Sequence, residues 1–509
     1  MSLPELKELS LKNLEAVVAI ESASDESSET IPSTTGQTVL AEYLAEFFSS
    51  LGGQVTRDEF ANTVAYWPAR HASGTAPEIA MMVHLDTARG TQPMESLNRL
   101  ASWDGEAIPY PENPNLRVSV ANYPALSRYL GQELVFGNGV SPFGLDDKLG
   151  LTYLMTLIQH LQANPELSHP GLYIIARPDE EIGRMEALES VADFLAERGV
   201  RSGYTIDGLD PFEINIENFN ASAASVFFEG RLAPVDGQVY KLTIGGVNTH
   251  GATAWAEGHR PATRLAAEVL NALEGTPVAW IGFESDSMRD CDAVAHCIAY
   301  NEDAAKALEK TLRDVVGPHI VRGASWKMEK VEAYRGQSAA ADALRFVWEF
   351  LNSNPGFTLA AEDSSGFDGY SQPYRILPVE DGFRLDIRLR DFAPEMLKER
   401  EEHVRRLAGS RKVQVSSQYI NMGPHLKERP ELVKWALAAG AKAGVESQIQ
   451  PIRGGTGVDP FLERGIGVAN LGTGYFAPES EKEFTTLEFM AQHVRWLAAL
   501  CEVVAEGKA

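Results

Sequence analysis

Apolar positions recur along the chain with two different periods. Residues 4 to about 20 set Leu6, Leu9, Leu11, Leu14, Val17 and Val18 at helical spacing. Residues 37 to 51 repeat this with Val39, Leu40, Tyr43, Leu44, Phe47 and Phe48, and Gly52-Gly53 stops the run. Strand-like stretches follow at Asn62 to Trp67 and Ile79 to His84. The spacing next predicts a helix that opens at Asp146-Asp147 and carries Leu149, Leu151, Leu154, Leu157, Ile158 and Leu161. After it come a strand at 172 to 176, a helix from about Met185 to Arg198, and a strand Tyr204-Thr205-Ile206 that ends in Asp207. Strands alternating with helices indicate an α/β fold: a mixed, largely parallel sheet flanked by helices.

The pattern changes after about residue 212. Val239 to Ile244 alternates, Ala262 to Leu273 is helical, and Val315 to Lys330 and Arg375 to Arg390 read as strands around loops. Helical spacing resumes at Pro430 to Ala443, and an apolar strand at Gly467 to Leu471 completes the first sheet. The expected division is a catalytic domain built from 1–211 and 409–509, with an α+β domain inserted at 212–408.

The 509 residues allow more than one domain. Lys plus Arg number 45 against 71 Asp plus Glu, a formal net charge of -26, which repels phosphate backbones and anionic lipid. Nucleic acid and membrane are therefore excluded as expected partners. Three cysteines without a C-x-x-C pair argue against a disulfide framework. Cys291 and Cys297 with His296 make a poor metal cluster, since no fourth ligand lies nearby. Without a secretory signal or an apolar run of membrane-spanning length, the expected location is cytoplasmic.

Chemistry-bearing side chains gather where strands are expected to end: His84, Asp86, Asp146, Asp147, Glu180, Glu181 and Asp207. Open α/β sheets bind ligands beyond the carboxyl ends of their strands. Each residue alone also reads as a helix cap, a turn or a solvated helix entry. Spread over four successive strand ends and helix starts, the set suits a metal centre with a carboxylate left over to move a proton.

These residues sit in stretches that resemble the co-catalytic zinc peptidases of the aminoacylase and carboxypeptidase clan, most closely the peptidase T (tripeptide aminopeptidase) branch. The stretches are HLDT at 84–87, GLDDKLG at 144–150, PDEEIG at 178–183, YTIDG at 204–208 and ENFNA at 217–221. THGAT at 249–253, RLRDF at 388–392, PIRGGT at 451–456 and EFTTLE at 483–488 extend the likeness through both expected domains.

The resemblance implies a zinc exopeptidase-like catalytic domain with an inserted lid or dimerisation domain, one or two zincs per chain, and hydrolysis of an amide bond in a short peptide or N-acyl amino acid. It implies metal ligands at His84, Asp146 (bridging), Glu181 and Asp207, with Asp86 orienting the imidazole and Glu180 as general base. His250 would contact the substrate carbonyl and Arg453 its carboxylate. The implied assembly is a monomer or a homodimer.

Two departures matter. The family's last metal ligand is a histidine just before Glu-Phe, where this chain has Lys482 before Glu483-Phe484. A protonated lysine has donors and no lone pair. A shift of one residue would offer Glu481 instead. The acid that the branch has directly after Thr stands two residues later, at Asp459. The alternative reading is a single-metal or catalytically impaired relative that binds peptides or amino-acid derivatives; a scaffold whose carboxylates merely cap helices is a third.

Overall fold

The computed structural model describes residues 1–230, 233–234, 237–248, 260–285, 292–332, 334–337, 339–353 and 369–507. The chain divides into two compact units. One comprises 1–113, 119–218 and 420–509, the other 114–118 and 219–419.

The first unit is built on an eight-stranded sheet. Its order is Gln54–Arg57, Thr63–Trp67, Leu172–Arg177, Ile79–His84, Ser202–Gly208, Gly467–Gly472, Glu213–Asn215 and Gln448–Gln450. The central strands run parallel, and antiparallel pairings flank them. Ile79–His84 and Leu172–Arg177 are buried along their whole length, as expected for strands covered on both faces.

Helix Leu145–Ala163 buries nearly every side chain from Leu145 to Leu161. It packs against Leu3–Val18 and Leu487–Ala505, so its apolar residues continue around the helix instead of forming one stripe. Within Leu487–Ala505, His493 is a core residue. Its ring stacks between Phe212 (centroids 4.2 Å apart) and Tyr153 (5.0 Å). Nδ1 donates to the Phe489 carbonyl at 2.7 Å and Nε2 accepts the Phe212 N–H at 3.2 Å, which fixes the neutral tautomer.

The second unit holds two four-stranded sheets. One orders Val278–Glu284, Asp292–Ala299, Gln238–Gly245 and Ser325–Val331; the other orders Tyr370–Val379, Gly382–Asp391, Asn220–Glu229 and Val413–Tyr419. Helices Ala262–Ala272, Glu302–Val316, Ala339–Ser353 and Pro394–Ala408 share their core. The expected strand beginning at Val315 is corrected: Val315 and Val316 end a helix, and the strand begins at Ser325. Asn301 caps that helix, and Leu308, Leu312 and Val316 bury one face four residues apart, a helical period. The alternating charges at 384–389 belong to a hairpin in which Asp386 takes both Arg375 (2.9 Å) and Arg384 (3.0 Å).

Candidate metal centre

Three adjacent parallel strands in the first unit deliver the site. Ile79–His84 lies between Leu172–Arg177 and Ser202–Gly208, with His84 in register with Arg177. The chain leaves each strand at its carboxyl end into a residue marked by the sequence.

The imidazole of His84 is fixed from behind. Its Nδ1 donates to the Asp86 carbonyl oxygen at 2.8 Å, which aims Nε2 into the site. Nε2 is 3.0 Å from Asp146 Oδ1 and 3.5 Å from Asp207 Oδ1. The ligating atoms of His84, Asp146 and Asp207 all lie within 4.8 Å of one another. The carboxylate of Asp86 accepts the backbone N–H of Glu180 at 2.9 Å and of Glu181 at 3.1 Å, while its Oδ1 stands 3.3 Å from His84 Nδ1. Asp86 thus holds the imidazole and the Glu180-Glu181 turn together.

Asp179 anchors that turn on its other side. It is fully buried, takes φ 54, and accepts hydrogen bonds from Ser33 N (2.8 Å), Ser33 Oγ (2.5 Å) and Gln37 Nε2 (2.7 Å). Asp147 faces away from the donor cluster: Oδ2 accepts His84 N–H at 3.2 Å and Oδ1 accepts Gly150 N–H at 3.1 Å. A Cβ at Gly150 would strike Asp147 Oδ1 and the Ile206 carbonyl, which explains the glycine six residues after Gly144. Glu483 supports the same helix start, since Oε2 accepts Gly144 N–H (2.7 Å) and Leu145 N–H (3.1 Å).

A second donor group shares Asp146. Carboxylate oxygens of Asp146, Glu181 and Glu479 lie within 4.8 Å of one another. Tyr475 donates its hydroxyl to Asp146 Oδ2 at 2.9 Å. Lys482, fully buried, lies outside both groups: its Nζ meets Glu481 Oε1 at 3.1 Å. The one-residue shift expected to bring in Glu481 therefore gives way to Glu479. Positive φ at Ala477 (54°) and Glu479 (57°) folds this loop so that Glu479 reaches the donors while Glu481 neutralises the lysine.

Glu180 Oε1 stands 3.1 Å from Arg177 Nη2. Gly457, at φ +56, lies against this pair; a Cβ there would strike the Arg177 guanidinium and come within 2.8 Å of Glu180 Oε1. Arg453 is buried. Asp459 opens the helix Asp459–Glu463, and its Oδ1 accepts Ile420 N–H at 3.2 Å. His250 lies outside the described residues.

The charges are crowded. Burial pushes the Asp207 carboxyl up to about 8, with the Asp146 charge reinforcing it. Burial also acts to raise Asp146, but the hydrogen bond and charge of His84 hold it near 2. His84 is raised well above the ordinary imidazole value: burial opposes its protonation, and the Asp207 charge with hydrogen bonds to Asp146, Asp207 and Asp86 overcomes that.

Comparison with known proteins follows the same path. No family model matches the chain. Peptidase T of Halothermothrix orenii is 25% identical over 501 residues, covering 96% of this chain and 97% of the relative. Peptidase T of Bacillus cereus is 26% identical over 505 residues, with 96% of each covered. The crystal structure of a tripeptidase from Staphylococcus aureus aligns at a TM-score of 0.53 and 15% identity over 98% of both chains, a likeness of fold. The chain is similar to peptidase T along nearly its whole length.

The donor set fits that likeness. One imidazole nitrogen and two carboxylate oxygens converge within 4.8 Å of one another, a set that a divalent cation satisfies. Glu479, Tyr475 and Arg177 stand in or beside the site without being among the residues that the sequence marks. Glu479 was visible as one of three carboxylates at 479–483; no spacing rule separates Tyr475 from any strand tyrosine.

Proposed function

We propose that this chain is a zinc-dependent aminopeptidase acting on short peptides, with Glu180 as general base. The observation that carries the reading is the pair of donor groups joined at Asp146, next to a carboxylate one residue from Glu181 that stands outside both groups. His84, Asp146 and Asp207 would hold one ion, and Asp146 with Glu181 a second. Such ions supply Lewis-acid polarisation of the scissile carbonyl and acidify a water molecule.

The chain's own groups do the rest. Glu180 takes the proton of the attacking water and passes it to the departing amine. Arg177 restrains the Glu180 side chain, and Asp86 sets the backbone of Glu180 and Glu181. Arg453 offers a guanidinium fork to a substrate carboxylate, and His250 a hydrogen bond to the developing oxyanion. Residues 212–408 are assigned as the inserted lid or dimerisation domain.

The test is hydrolysis of a tripeptide panel by protein supplied with zinc, each peptide offered free and N-acetylated. Cleavage confined to free amino termini supports the aminopeptidase assignment. Equal cleavage of both forms would reject it, and inertness towards every peptide would reject peptide hydrolysis.

A further inference from the structure

The two donor groups at Asp146 are chemically unlike. The first contributes an imidazole nitrogen and two carboxylates, His84 with Asp146 and Asp207. The second contributes only oxygen, from Asp146, Glu181 and Glu479. Imidazole favours zinc and other borderline ions, whereas carboxylates suit harder ions such as manganese and magnesium. We propose that Glu479 makes the second position an all-carboxylate site, from which zinc is exchanged for a hard divalent cation such as manganese far more readily than from the His84 position.

Charge supports the assignment. Asp146, Asp207, Glu181 and Glu479 offer four carboxylates around the two positions, which when ionised match the four positive charges of two divalent cations. Lys482, the ammonium of this loop, pairs with Glu481 at 3.1 Å. Tyr475, which donates to Asp146 Oδ2 at 2.9 Å, holds the shared carboxylate without adding a nitrogen ligand. The inference rests on the metal-dependent reading and deepens it: the centre becomes heterometallic whenever manganese is abundant and free zinc scarce.

The experiment uses the full-length protein loaded with zinc, then dialysed against excess Mn2+. Metal content per chain is measured by mass spectrometry and the bound Mn2+ by electron paramagnetic resonance. The expected product holds one zinc and one manganese per chain, with the spectrum of an isolated Mn2+ ion. Glu479→His restores a nitrogen donor and should cut the manganese taken up at the same Mn2+ concentration at least about tenfold, leaving two zincs. Glu479→Gln should lose the second ion and keep the first, which also shows that the variant is folded. The inference is overturned if wild type keeps two zincs, if both positions exchange alike to give a coupled manganese pair, or if Glu479→His exchanges as wild type does. Failure to bind any divalent ion would instead bring down the metal-dependent reading itself.

Discussion

His84 Nε2 and Asp146 Oδ1 stand 3.0 Å apart although 62 residues separate them in the chain. The contact exists because a strand end and a helix start meet beyond the sheet, and Asp147 N-terminal to the helix body grips the His84 backbone from the next position. Removing the imidazole leaves Asp146 and Asp207 facing each other with like charge. His84→Ala should therefore weaken zinc binding at least about a hundredfold, the upper end of what even supporting residues cost a metal site. Competition against a chromogenic chelator measures it; unchanged affinity would remove His84 from the ligands.

Glu180 is a carboxylate beside the donors that belongs to neither group. Glu180→Gln preserves size and the backbone hydrogen bond to Asp86. It should keep wild-type metal content and lose at least about a hundredfold in kcat, the ordinary scale for a general base. A variant with full turnover would take Glu180 out of the proton transfer.

Gly457 lies where any side chain would displace Arg177 from Glu180. With φ at +56 as well, Gly457→Ala combines backbone strain with a broken ion pair. The expected result is a fall in kcat of about tenfold or more with metal content intact, because the disturbed side chain is the proposed base and not a ligand. Steady-state kinetics beside metal analysis checks this; loss of metal with kcat per bound ion unchanged would place the strain elsewhere.

His493 supplies a pH signature from the core, where it is no candidate ligand. Burial pulls its imidazole down to about 3. In the unfolded chain it titrates near 6.5, so unfolding takes up a proton at any pH between those values. Its contribution to stability is complete above about pH 6.5 and is lost as pH falls below it, reaching roughly 2 kcal/mol by pH 5. Urea denaturation at pH 7 and pH 5 should show that loss in wild type and a smaller one in His493→Gln. Identical pH dependence of the two proteins would mean that His493 is not the group responsible.

Much of this was legible in the chain, for reasons that differ by residue. His84, Glu180 to Glu181 and Asp207 end strands whose apolar runs are unmistakable, and the parallel sheet does the rest of the convergence. Asp146 announced itself by opening a long apolar helix. Glu479 did not, since its direction depends on positive φ angles at Ala477 and Glu479 that no periodicity encodes. The charge of Lys482 reads as a damaged site in the sequence, where its ion pair with Glu481 is not visible. In the second unit, the β-branched Val315 and Val316 read as strand, yet they close a helix capped by Asn301.

Asp146 is common to both donor groups, so divalent metal per chain in wild type and Asp146→Ala tests the central claim most directly. After loading and gel filtration, wild type should carry two ions per chain and the variant fewer than about half of one, with the fold of both verified by circular dichroism. Equal metal content in the two folded proteins would contradict the account.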